Sequence, residues 1–177
     1  MTNEIYVHAK PTNNKAKQTF YILLALAAVA TLVYLFIGVY KGLVGLCAVA
    51  LITAAVLVHT KYVGAEYYYD ITEDYEGTPV FVVRQVVGKR ATTLCRLDLF
   101  SITKVERLDR ETAKKHKAPA GYKKYSYLPT LSPDSRLCVT AISSAEKAEI
   151  MIEASDEFCD MLLRLSRDAR ADFYNED

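Results

Sequence analysis

Two uncharged apolar runs, set almost end to end, constrain this chain more than any other feature. Residues 20–40 read FYILLALAAVATLVYLFIGVY and residues 42–59 read GLVGLCAVALITAAVLVH, with Lys41 alone between them. At 1.5 Å rise per residue the helices would be about 31 Å and about 27 Å long, each enough to cross a hydrocarbon core. Backbone in lipid must satisfy its own hydrogen bonds, so both runs are expected to be helical. One unbroken helix would be about twice the bilayer thickness. Lys41, with Gly38, Gly42 and Gly45 around it, therefore marks a reversal, and residues 20–60 read as a transmembrane helical hairpin. The 19 residues before it form a tail too long, and the first run an apolar stretch too long, for a signal peptide.

Lys10, Lys15 and Lys17 precede the first run and Lys61 follows the second, while Lys41 alone lies at the turn. Positive residues stay on the cytoplasmic side, so both termini are expected there, in a multi-pass protein of the cell membrane. Tyr21, Tyr40 and Tyr62 suit the interfacial belt, and Tyr34 suits it less well. Small residues (Ala25, Ala28, Gly38, Gly42, Gly45, Ala48, Ala54, Ala55) permit close helix contact, within the hairpin or between copies. Neither run contains Asp, Glu or Arg, which argues against a transporter or proton pathway.

From residue 66 the pattern changes to that of a water-soluble domain, expected over residues 66–171. Strands are predicted at residues 66–72, 79–87, 92–99, 136–142 and 149–153, with a short helical turn leading into a strand over 102–108 and an extended segment at 124–131. Residues 109–121 are polar, carry Pro119 and Gly121, and read as an exposed loop. Ser155 is a fitting N-cap, Asp156 and Glu157 follow in the first turn, and Phe158, Met161, Leu162 and Leu165 form one apolar helical face. Residues 172–177 are expected to fray.

Seven or so strands closed by one amphipathic helix imply an α+β architecture, a bent antiparallel sheet with a helix over its open end. The stretches LDLFSITKVERLD (97–109) and AEIMIEASDEFCDMLLRL (148–165) resemble the third strand with its turn, and the last strand with its closing helix, of bacterial pleckstrin-homology-like domains. In small, mostly uncharacterised bacterial membrane proteins such domains follow a pair of transmembrane helices. The resemblance implies a PH-like antiparallel barrel or sandwich of about seven strands, and an architecture more than an activity.

Catalytic signatures are missing from the sequence: it has no His-Glu-x-x-His, phosphate-binding loop, dinucleotide glycine motif or nucleophile elbow. No catalytic, cofactor-binding or metal-ligating residues are assigned. His8, His59 and His116 are scattered, and Cys47, Cys95, Cys138 and Cys159 read as reduced, mostly buried residues. Cys95 and Cys138 would meet if their strands were neighbours. Asp70, Glu73, Asp74 and Glu76 read as a solvated acidic turn.

The strongest lead is a basic block. Arg84, Lys89, Arg90, Lys114, Lys115, Lys117, Lys123 and Lys124 are candidates for contact with anionic lipid headgroups or a protein partner. No nucleic-acid-reading motif accompanies them. The expected role is a membrane-anchored, non-enzymatic binding or scaffold module without cofactor. An accessory subunit of a larger membrane complex, acting through its helices, is the alternative, and an enzyme the third class.

Overall fold

The computed structural model describes residues 5–11, 13–36, 40–75, 77–143 and 146–175. In chain order it contains β1 (Ile5–Ala9), α1 (Lys15–Phe36), α2 (Lys41–Val58) and a π-helical turn (His59–Val63). Then come β2 (Ala65–Glu73), β3 (Pro79–Val87), β4 (Arg90–Asp98), a 3-10 turn (Leu99–Ser101) and β5 (Ile102–Asp109). The chain ends with α3 (Arg110–Lys115), β6 (Lys123–Ser126), β7 (Ser135–Ile142), β8 (Lys147–Ile152) and α4 (Asp156–Asn175).

Helices α1 and α2, the latter prolonged by the π-helical turn to Val63, are long and apolar enough to cross a membrane. They pack on each other through small side chains. Ala27 of α1 and Ala48 and Ala55 of α2 are buried, and Gly45 lies under the ring of Tyr34. Of the small residues that permit close contact within the hairpin or between copies, Ala25 and Ala28 point outward, and Ala27 takes the place in the seam. The rest of the hairpin is uncovered: Leu24, Leu26, Val29, Leu32, Leu35, Leu43, Leu46, Val49, Val56 and Leu57 are all exposed. The helix of a soluble core would bury such residues. Thr31 and Thr53 donate their hydroxyls back to the carbonyls four residues earlier, at 2.8 and 2.9 Å, so neither presents an unsatisfied polar group. Lys41 is the first residue of α2 rather than a turn residue. Tyr40 precedes it with φ +66°, in the left-handed region. Gly38 lies outside the described residues.

The segment expected to be a free N-terminal tail contains a strand. Ile5, Val7 and Ala9 alternate with Tyr6, His8 and Lys10, and β1 pairs antiparallel with β2, with Ile5 opposite Ile71, Val7 opposite Tyr69 and Ala9 opposite Tyr67. The chain thus enters the hairpin from one strand and leaves it into that strand's neighbour. Phe20 and His59, at the same end of the hairpin, have ring centroids 5.1 Å apart.

The strands form two four-stranded sheets, not a closed barrel. One has the order β1-β2-β3-β4 and is antiparallel throughout; the other has the order β5-β7-β8-β6 and is mixed, because β6 runs parallel to β8. Tyr67, Tyr69, Ile71, Phe81 and Val83 of the first sheet face Ile102, Val105, Leu137, Val139, Ile150 and Ile152 of the second. Helix α4 inserts Phe158 and Leu162 into this core, with Phe158 6.5 Å from Tyr69 and 6.3 Å from Phe81 between ring centroids. Between β4 and the β6–β8 side the sheets stay apart. A groove of about 440 Å³ opens there, lined among others by Leu94, Leu97, Tyr125, Tyr127 and Ile150. Tyr127 Oη reaches the Leu94 carbonyl at 3.3 Å, a side-chain contact where a barrel would need a backbone ladder.

Two local expectations are corrected and one is refined. The polar stretch after β5 opens with α3, capped by Asp109, whose Oδ1 accepts the Thr112 N–H at 2.7 Å; its single buried side chain, Ala113, gives too short an apolar signal to read. Within the segment expected to be extended from Lys124, β6 ends at Ser126, and the Tyr127 N–H still donates to the Met151 carbonyl at 2.9 Å. Helix α4 continues to Asn175, and Phe100 stacks on Phe173 at 4.6 Å, which holds the last turns against the 3-10 corner.

Tyr69 is a point at which the sheets are tied by hydrogen bonds. Its hydroxyl donates to the Tyr127 carbonyl at 2.7 Å and accepts from the Glu153 N–H at 3.2 Å. The burial responsible for this geometry also pushes the phenol pKa far up, so it remains protonated. The substitution Tyr69→Phe keeps the ring and strips both bonds, leaving a buried carbonyl and amide without partners. It should cost about 1–3 kcal/mol, read as a lowered thermal midpoint of the purified full-length protein.

Candidate functional site

The first surface to consider is the end of the domain from which the helices leave. Register places it: Ala9 lies opposite Tyr67, Ala65 opposite Val87, and Val87 opposite Arg90. Lys10 after β1, Lys61 before β2, Lys89 in the β3–β4 turn and Arg90 at the start of β4 therefore gather at one edge, beside Lys15 and Lys17 in the first turn of α1. All six are exposed. The β3–β4 turn reverses tightly because Gly88 takes φ +62°, a conformation costly for other residues. Asn13 Nδ2 donates to the Ser132 carbonyl at 3.3 Å, fastening the start of α1 to the connection between β6 and β7.

The other predicted basic residues lie elsewhere, so the eight do not form one patch. Arg84 pairs with the buried carboxylate of Asp70 on the outer face of the first sheet. That face holds a second pair, Arg96 with Asp74 at 2.6 Å, and the arginine keeps the Asp74 carboxyl below its ordinary range. Asp70 is thus a buried strand residue and not part of a solvated turn, because the pleat turns it to the outer face, where Arg84 closes over it. Glu76 lies outside the described residues. Lys114 and Lys115 occupy the last turn of α3, where cations suit the helix end, and Lys117 follows in the loop. Lys123 pairs with Glu146 at 2.7 Å, and Lys124 stands 3.8 Å from Glu149.

Glu149 belongs to a site that the sequence reading did not find. Strand β8 is buried from Ala148 to Ile152. Ala148, Ile150 and Ile152 face the main core, while Glu149 and Met151 face the opposite side. There a small second core of Leu108, Ala113, Leu128, Cys138 and Met151 lies beneath α3. Glu149 is 1% exposed, and its Oε2 is 2.7 Å from His116 Nε2. Cys138 Sγ, from the neighbouring β7, is 3.9 Å from the same nitrogen. The three donor atoms all lie within 4.8 Å of one another. Burial, and then the Glu149 carboxylate, push the Cys138 thiol up to about 12. A charged residue in an otherwise apolar strand was the available signal. Its partners stand 33 and 11 residues away, on a helix end and another strand, beyond the reach of local pattern.

The four cysteines are unpaired, and of them Cys138 alone is buried. Cys95 and Cys138 cannot meet, since β4 and β7 belong to different sheets. Cys95 lies in the groove between the sheets with its thiol pushed up to about 11, chiefly by burial and further by Glu146. The thiolate is the nucleophile, and at pH 8 a thiol of that pKa is almost wholly protonated. Cys95 should therefore alkylate about a hundredfold more slowly than an ordinary free thiol. Peptide mapping after timed iodoacetamide treatment, with and without denaturant, checks this; equal rates in both conditions would contradict the burial.

No family model, no curated protein and no solved structure matches the chain.

Proposed function

We propose that the protein is an integral membrane protein that holds a non-enzymatic binding module against the cytoplasmic leaflet, with its basic end toward anionic lipid headgroups and the remaining faces free for a protein partner. The observation that carries this reading is the β1–β2 ladder. It joins the residues before the hairpin to those after it, so tail and domain must share one side of any bilayer the helices cross. The uncovered apolar flanks of α1 and α2 support insertion. The concentration of Lys10, Lys15, Lys17 and Lys61 on the domain side, against Lys41 at the far turn, supports a cytoplasmic placement.

At that surface each Lys or Arg contributes about 1 kcal/mol of attraction to an anionic leaflet. Lys89 and Arg90 sit on a rigid two-strand turn and so would fix the pose of the domain rather than merely add charge. Lys114, Lys115 and Lys117, on another element, are better suited to a protein partner. The two stacked sheets with a C-terminal helix support kinship in architecture with PH-like modules. In the accessory-subunit reading, the same uncovered helix flanks would be the contact surface for another membrane protein. Exchanging both helices for an unrelated hairpin separates the two, because a domain-borne function survives it.

Two outcomes are expected. The full-length chain should stay with membranes washed at alkaline pH; release into the supernatant would remove the anchor. In nanodiscs, amide exchange at residues 88–91 should be slower with phosphatidylglycerol present than with phosphatidylcholine alone. Lys89→Gln with Arg90→Gln should abolish the difference, and raised salt should reduce it. Equal exchange in both lipids would end the lipid-contact reading. The intact chain is needed for this, because a fragment beginning at Glu66 lacks β1 and leaves an edge of β2 bare.

A further inference from the structure

We propose that His116, Cys138 and Glu149 form a binding site for a divalent transition-metal ion, Zn²⁺ by the chemistry of the donors. The inference stands apart from the membrane reading and uses the other side of the domain. Imidazole nitrogen, thiolate sulfur and carboxylate oxygen are the three donor types that zinc sites combine. Here one of each converges from α3's end, β7 and β8, with donor atoms within 4.8 Å of one another. A tetrahedral zinc with ligands at about 2.0–2.3 Å holds its donors roughly 3.3–3.8 Å apart, so small side-chain adjustments bring the trio onto one ion.

Two further observations point to a cation at this place. Glu149 is 1% exposed, and its Oε1 is buried without a hydrogen bond. Lys124 Nζ, 3.8 Å from that oxygen, is too distant to donate to it. A buried carboxylate with one oxygen unsatisfied is costly, and a metal ion would take up that oxygen or share the pair. The site is also tethered by its surroundings: Cys138 and Glu149 lie on paired strands, and α3, capped by Asp109, delivers His116 from above.

Binding displaces the proton of the Cys138 thiol to solvent, and the thiolate–metal bond takes its place. With three protein donors, a fourth tetrahedral position remains for water. His116 is the part of the site that reaches solvent, its side chain 20% exposed, whereas Glu149 and Cys138 are closed off. An ion held in this way also clamps α3 and the following loop, with Lys114, Lys115 and Lys117, onto the second sheet.

Cobalt(II) is the probe. The full-length protein, purified in detergent and stripped with a chelator, should bind one equivalent of Co²⁺ with a thiolate-to-cobalt charge-transfer band and the visible bands of a tetrahedral ion. Zn²⁺ should displace it and raise the thermal midpoint. Cys138→Ser should abolish the charge-transfer band although Cys47, Cys95 and Cys159 remain. His116→Gln and Glu149→Gln should weaken Co²⁺ binding at least about tenfold. Absence of a saturable charge-transfer band in the folded wild-type protein overturns the proposal, whether or not the variants fold. So does a band that persists in a folded Cys138→Ser protein.

Discussion

The ladder between β1 and β2 organises the molecule. Five residue pairs, from Ile5 with Ile71 to Ala9 with Tyr67, join chain segments separated in sequence by the entire apolar hairpin. Closing so long a loop is entropically unfavourable for a flexible chain, but the cost grows only slowly with length, and here the loop is itself two helices packed side by side. The hairpin brings the strands together and the strands hold the base of the hairpin closed. Without β1, the edge of β2 would offer a row of bare N–H and C=O groups beside the helices, a site for unwanted pairing.

The same ladder decides what the rest of the domain can face. With β2 fixed beneath the helices, the antiparallel register carries the β3–β4 turn back to the hairpin end and places Lys89 and Arg90 beside Lys10 and Lys61. The second sheet meets the first through a core in which Tyr69, Phe81 and Phe158 lie together, and α4 secures the 3-10 corner between β4 and β5. The groove between β4 and β6 remains because both are edge strands: β6 pairs in parallel with β8, and its other side has no backbone ladder to β4. One sheet face is therefore basic at its hairpin end and ion-paired further out. The other covers a buried polar trio.

A buried Glu beside a His and a Cys has a structural consequence as well. Conventional packing would place an apolar residue at position 149, between Ala148 and Ile150 and beneath α3. A carboxylate there needs polar neighbours, and they arrive only when α3 and β6 are docked: His116 Nε2 lies 2.7 Å from one oxygen and Lys124 Nζ 3.8 Å from the other. The correct seating of the 110–126 region is thus coupled to the second sheet by electrostatics as well as by Ala113 and Leu128.

The sequence alone determined what depends on local composition and period. The hairpin follows from two apolar runs of membrane-spanning length, and most strands and α4 follow from periods of two and 3.6 under a hydrophobic core. Ile5, Val7 and Ala9 carried a period of two as well, but a five-residue signal ahead of a membrane run gave no partner. Tertiary structure decided whatever required residues distant in the chain to meet. It set the pairing of β1 with β2, the choice of open sheets over a closed barrel, the gathering of Lys10, Lys61, Lys89 and Arg90 at one end, and the convergence of His116, Cys138 and Glu149. Pairing partners are selected by the free energy of the whole assembled core, which no window of neighbouring residues contains.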